Sequence, residues 1–99
     1  MTKEADVQIV EDFRDSYIRK CQKALILKDG EAFLAALGYL SKMEGMTSLS
    51  RELGLNRSQM YRSFSPTGNP SFISVMRMLD ALDLKFYIVP KRRRDEQVP

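Results

Sequence analysis

Arg57, Ser58, Tyr61 and Arg62 stand at positions i, i+1, i+4 and i+5 of one short segment, so a helix there carries all four on one face. That face offers two guanidiniums, two hydroxyls and no acid. Guanidiniums donate hydrogen bonds in a planar fork that fits anions and the edge of guanine, and the hydroxyls can reach a phosphate or a base. The chemistry is recognition of a charged, edge-presenting ligand. Catalysis has no comparable set. The chain has no histidine and one cysteine, Cys21, which excludes Ser-His-Asp and Cys-His devices and the usual zinc sites. No glycine-rich phosphate loop is present, so the expectation is no enzyme, no cofactor and no metal.

The elements that must position this face are legible around it. Met46–Ser65 reads as two short helices, about Thr47–Leu53 and Arg57–Ser65, separated by Gly54-Leu55-Asn56. Ser50 is small where the second helix must pack close, and Gly54 tolerates the positive φ of a tight turn. Leu49, Leu53, Leu55, Met60 and Phe64 point into the angle between the helices. Asn56 restarts the helix, and Gln59 three residues later completes a capping-box pattern. This is the helix-turn-helix layout, whose second helix presents its N-terminal residues to the major groove. A helical hairpin with merely solvated arginines stays open as the alternative, since Leu-x-x-x-Leu-Gly-Leu recurs by chance in helical proteins. The absence of an acid on the face argues the other way, because solvated faces usually mix signs.

Upstream, Val7, Val10, Phe13, Tyr17, Cys21, Ala24 and Leu25 recur at helical spacing over residues 6–28, and Asp29-Gly30 is expected to stop that helix with Gly30 as its left-handed exit. A second helix from Glu31 carries Phe33, Leu34, Leu37, Leu40 and Met43 and ends at Gly45. Downstream, Ser65–Pro70 reads as a loop, Ser71 as a cap, and the next helix runs to Leu82 with Phe72, Val75, Met76, Leu79 and Leu82 on one side. Ile73 and Met78 fall off that stripe and hint at a second buried face. Leu84–Val89 has high strand propensity but no evident partner in the chain, which makes the same strand of a second subunit attractive. The methionines read as core filler.

Ninety-nine residues allow one domain, taken as 1–90, with 91–99 a disordered basic tail. Basic minus acidic side chains give 7 − 8 = −1 for residues 1–45, 5 − 3 = +2 for 46–90 and 4 − 2 = +2 for 91–99. The positive excess therefore shares the half that holds the helix-turn-helix, which suits an anionic partner. Lys91–Arg94 fits either a DNA-following arm or a solubilising tail. A single cysteine permits no intrachain disulfide, and no apolar run reaches the roughly 20 residues that span a bilayer. A cytoplasmic protein without membrane contact is expected.

From about Phe13 to Pro90 the sequence resembles the addiction-module antidote proteins, lambda-repressor-like helix-turn-helix proteins encoded beside RelE/HigB-type toxins. The resemblance is carried by Gly30-Glu31-Ala32-Phe33-Leu34-Ala35-Ala36-Leu37, Gly45-Met46-Thr47, Leu53-Gly54-Leu55-Asn56-Arg57, Met60-Tyr61-Arg62, Gly68-Asn69-Pro70-Ser71-Phe72 and Leu79-Asp80-Ala81-Leu82-Asp83-Leu84-Lys85. Each piece alone is weak, while their order and spacing together are specific. Asp83 stands where the family commonly has Gly, so a different turn is expected before the strand.

The resemblance implies an all-α, lambda-repressor-like domain of five helices with a short C-terminal β-strand. It implies an antitoxin that binds its toxin and, as a homodimer on double-stranded operator DNA, represses their shared operon. The DNA-binding candidates are Arg57, Ser58, Tyr61 and Arg62, with Asn56, Thr47 and, in a loop flanking the phosphate backbone, Asn69. Residues 6–29 are the candidate toxin contact. Two other readings remain at this point: a stand-alone prophage-type regulator, and a protein–protein adaptor that never touches DNA.

Overall fold

Two residues, Leu27 and Lys28, separate the end of the first helix from the cap of the second, and that connection sets the architecture. The computed structural model describes residues 4–91, with side chains from Glu11 onward. In chain order the helices are α1 (Glu4–Ile26), α2 (Gly30–Glu44), α3 (Met46–Leu53), α4 (Arg57–Ser63) and α5 (Phe72–Ala81). The expected all-α class with five helices is what forms. Residues 92–99, and with them most of the expected disordered tail, lie outside the described residues.

Helix α1 leaves through Lys28, not Gly30. Lys28 has φ 58, the Lys28 amide donates to the carbonyl of Leu25 (3.2 Å), and the Asp29 amide donates to that of Ala24 (2.8 Å). This is the paired closure of a Schellman turn. The expectation of a glycine exit fails because Asp29 is already the N-cap of α2, in extended backbone, with its carboxylate accepting from the Ala32 amide at 3.0 Å. The left-handed residue is thereby moved two positions upstream, from Gly30 to Lys28. So short a connection makes α1 and α2 an antiparallel pair. Tyr17 and Tyr39, each nine residues from its helix's end at the turn, stack with centroids 4.8 Å apart.

The core gathers where α2, α3, α4 and α5 converge. Leu37, Leu49, Met60 and Met78 are fully buried, joined by Phe33, Leu40, Leu53, Phe64, Leu79 and Leu82. Among the described side chains of α1, Cys21 and Ala24 are buried, with Tyr17 and Ile18 packed at the edge. Phe13 and Leu25, expected on the buried stripe, are exposed. Phe13 lies level with Met43 in the last turn of α2, each 13 residues from its helix's end at the turn, and both side chains are exposed. The Arg14 Nη2 ties the N-terminal half of α1 to the end of α5, donating to the carbonyl of Leu82 at 2.7 Å.

Helix α5 is rotated from the expected stripe. Met78 joins Leu79 and Leu82 inside, whereas Phe72, Ile73 and Met76 are exposed. The core-filler reading therefore holds for Met46, Met60 and Met78 but not for Met43 or Met76, which are exposed. Among the described residues no strand forms. Leu84–Val89 lacks a ladder because the rest of the described chain is helix or tight turn and offers no second extended edge. The turn before it is the one a glycine would make: Asp83 has φ 58, and the Leu84 amide donates to the carbonyl of Leu79 at 2.8 Å.

Candidate nucleic-acid interface

The turn between α3 and α4 follows from its residues. Gly54 takes φ 68, its amide donates to the Arg51 carbonyl, and the Leu55 amide donates to that of Ser50. Ser50 is buried, and its hydroxyl donates to the Thr47 carbonyl at 2.8 Å, so the small residue turns its polar atom back into its own helix. Asn56 then starts α4 in extended backbone. Its side-chain oxygen accepts from the Gln59 amide at 2.8 Å, and Gln59 Oε1 accepts from the Asn56 amide at 3.0 Å. The capping box read from the sequence is complete. Leu49, Leu53, Met60 and Phe64 are buried in the angle and Leu55 is partly so.

With Met60 and Phe64 inward, α4 turns its other side to solvent. Arg57, Ser58, Tyr61 and Arg62 are all exposed there, and Asn56 is exposed at the cap. The two guanidiniums make no hydrogen bond or ion pair with another described residue. Other arginines are committed to structure: Arg14 binds the Leu82 carbonyl, and Arg77 Nη2 donates to the Glu52 carbonyl at 2.8 Å, tying α5 to the end of α3. The structure thus unites five of the seven candidates on one element. Thr47, in the first turn of α3, and Asn69, in the loop after α4, are exposed on neighbouring segments.

That loop is pressed onto the end of α4. A Cβ at Gly68 would collide with the carbonyl oxygens of Ser63 and Arg62, and the Gly68 amide donates to the Ser65 carbonyl at 2.9 Å. Asn69 is consequently held one residue beyond a contact with the C-terminal end of the candidate recognition helix.

Sequence reasoning missed Lys42. Its Nζ lies 5.4 Å from the Tyr39 ring and 5.9 Å from the Tyr61 ring, within reach of cation–π attraction to both. Lys20 sits 4.4 Å over Tyr17, which stacks on Tyr39. A band of lysine and tyrosine side chains, in the order Lys20, Tyr17, Tyr39, Lys42 and Tyr61, therefore runs from α1 across α2 to the α4 face. The only available signal was the i, i+3 spacing of Tyr39 and Lys42 on the solvent side of α2, which the search for an apolar stripe passes over.

Nothing in the described residues suggests chemistry of another kind. No group of three or more His, Cys, Asp or Glu side chains is placed to hold a metal among them. No helix is long and apolar enough to cross a membrane. Burial pushes the Cys21 thiol up to about 11, so it remains a protonated packing group.

Comparison with known proteins places these features in a family. The family described as "Probable addiction module antidote protein" matches residues 6–90. An uncharacterized protein of Haemophilus influenzae is 37% identical over 62 residues, which cover 63% of this chain and 64% of that protein. The chain thus spans a little under two thirds of the curated relative it matches. No solved structure matches. With a match running from early in α1 to beyond α5, the chain belongs to the probable addiction module antidote protein family.

Proposed function

We propose that this protein is an antitoxin that also binds operator DNA through α3 and α4 and represses its own operon. The observation that carries the DNA reading is the α4 face, where Arg57 and Arg62 are exposed, unpaired among the described residues and free of acidic neighbours on the helix. In this reading α2 to α5 form a lambda-repressor-like unit and α4 lies in the major groove. One or both arginines then pair bidentately with guanine, at roughly 1–3 kcal/mol of discrimination per pair. Ser58 and Tyr61 add a base or phosphate contact, while Asn56, Thr47 and Asn69 approach the backbone. Two copies related by a two-fold axis present two such helices about 34 Å apart on a palindromic operator. Bound there, the dimer blocks polymerase. Its toxin, of the RelE/HigB type, engages α1 outside the helix-turn-helix, and the complex resides in the cytosol.

The test is fluorescence anisotropy of the purified protein on DNA from its own promoter, at two salt concentrations with competitor. Salt-sensitive, sequence-selective binding is expected, and Arg57→Ala with Arg62→Ala should abolish the selectivity while circular dichroism stays unchanged. A double variant that binds operator as the wild type does would overturn the assignment of α4. Co-expression with the adjoining gene tests the antitoxin half: rescue of growth from that gene product is expected, and its failure would reject the pairing.

A further inference from the structure

A broad apolar surface lies away from α4. Helix α5 buries Met78 and Leu79 on one side and leaves Phe72, Ile73 and Met76 exposed on the other. At Asp83 the chain turns, and the Phe86 ring meets Phe72 edge-on at 5.8 Å, so the segment after α5 folds back beside it. An open groove results, lined by Leu53, Phe72, Ile73, Met76, Leu84 and Ile88 among others, with no residue of α4. Tyr87 and Ile88 are 78% and 92% exposed. Beyond the amide of Leu84, the backbone groups of residues 85–89 make no backbone hydrogen bond among the described residues. An apolar face and an unpaired, strand-favouring edge are therefore adjacent.

We propose that a second copy of this chain covers this surface, with Leu84–Val89 of the two copies pairing antiparallel across a two-fold axis. Each copy then closes the groove of the other beside α5. The proposal deepens the dimeric DNA-binding reading and rests on it for its biological use, though not for the surface itself. Area favours it first. Phe72, Ile73, Met76, Phe86, Tyr87, Ile88 and Val89 are between 43% and 92% exposed. At about 200 Å² for a large side chain they present on the order of 900 Å². A typical monomer's largest apolar patch is roughly 300–600 Å², and a standard interface takes about 800 Å² from each partner.

Charge and composition narrow the occupant. The groove's charged residues are Glu52, Asp80, Arg77 and Lys85, two of each sign, so a second copy brings no net charge against it. Met1–Lys3 and Arg92–Pro99 are mostly polar or charged and do not match the apolar lining. A strand edge offers donors and acceptors in alternation and is complementary to itself when antiparallel. Because the groove excludes α4, pairing here leaves both candidate recognition helices uncovered.

Sedimentation equilibrium of the full chain without DNA tests this directly. The expected mass is twice 11.4 kDa for the wild type. Ile73→Asp and Ile88→Pro, both at exposed positions, should each return it to 11.4 kDa with unchanged helicity. Ile88→Thr, which keeps strand propensity and the amide, should weaken the dimer by much less than the proline does. A wild type that stays monomeric at about 100-fold the concentration that binds DNA overturns the proposal, as does a dimer that survives both disruptive variants. Recovery of the groove under an adjoining toxin while the free chain is monomeric overturns it in favour of that partner. A dimer that fails to bind promoter DNA instead rejects the function and leaves this interface standing.

Discussion

Gly38 and the carbonyl of Phe64 are so close that a Cβ at position 38 would stand 2.5 Å from the Phe64 oxygen. The contact sets α2 against the end of the candidate recognition helix, because Phe64 is the C-cap of α4. In an exposed helix interior, alanine is better than glycine by roughly 1 kcal/mol. Here the sign reverses, since a backbone oxygen cannot swing aside. Gly38→Ala is expected to destabilise the protein by about 1–3 kcal/mol in urea unfolding, the range of overpacking in a close-packed interior. An unchanged or higher midpoint would show that α2 and α4 can separate freely.

Lys28 and Asp83 both hold left-handed backbone without being glycine. The conformation costs an L-residue roughly 1–2 kcal/mol, less for Asp, which hydrogen-bonds locally. Glycine removes that strain but adds about 0.4–1 kcal/mol of unfolded-chain entropy. Lys28→Gly should therefore raise stability by under about 1 kcal/mol, a melting shift of a few degrees, and Asp83→Gly by less. Calorimetry showing the opposite order would place the strain elsewhere.

Asn56 has two tasks that substitution can separate. Its oxygen caps α4, so Asn56→Ala should lower stability by about 1 kcal/mol. Asn56→Asp retains the cap and should melt near the wild type. Because it sets an acid beside the proposed phosphate path, it should still weaken operator binding several-fold. Equal loss of stability in both variants would mean that the capping oxygen is not what position 56 contributes.

Cys21 gives a pH dependence of definite sign. Burial raises its thiol from 9.0 to about 11, so the folded chain holds the proton to higher pH than the unfolded chain. Its contribution is fully present below 9.0 and is lost as pH rises through about 11. Urea midpoints should fall more steeply between about pH 9 and about pH 11 for the wild type than for Cys21→Ala. Native protein at neutral pH should also react with a thiol reagent only as fast as it opens. Parallel pH curves would mean that the thiol is reached by water in the folded state.

What was legible in the sequence was local. The capping box at Asn56 and Gln59, the turn at Gly54 and the inward set Leu49, Leu53, Met60 and Phe64 depend on neighbours within one helix turn, and each stands as read. What escaped depends on a distant partner. The rotation of α5 follows from how Met78 meets the core, and the place of Lys42 from the approach of α2 to Tyr61. The exit of α1 was misplaced because Asp29 serves the next helix before the previous one has finished. The seven candidate site residues were found as exposed positions, and their contact with DNA is the step left to binding measurements.

The brevity of α4 limits how much text one copy could read. Seven residues span about 10 Å, and duplex DNA advances 3.4 Å per base pair, so a single such helix faces roughly three base pairs. A three-letter word recurs by chance about once in 64 positions, among the 10⁶ or more competing sites of a genome. Two-fold pairing multiplies the word to six letters, about one in four thousand. In the proposed reading the remaining selectivity then comes from the cost of bending the intervening duplex, while the loop clamped at Gly68 fixes the register, so operator variants altered between the half-sites should discriminate as strongly as those altered within them.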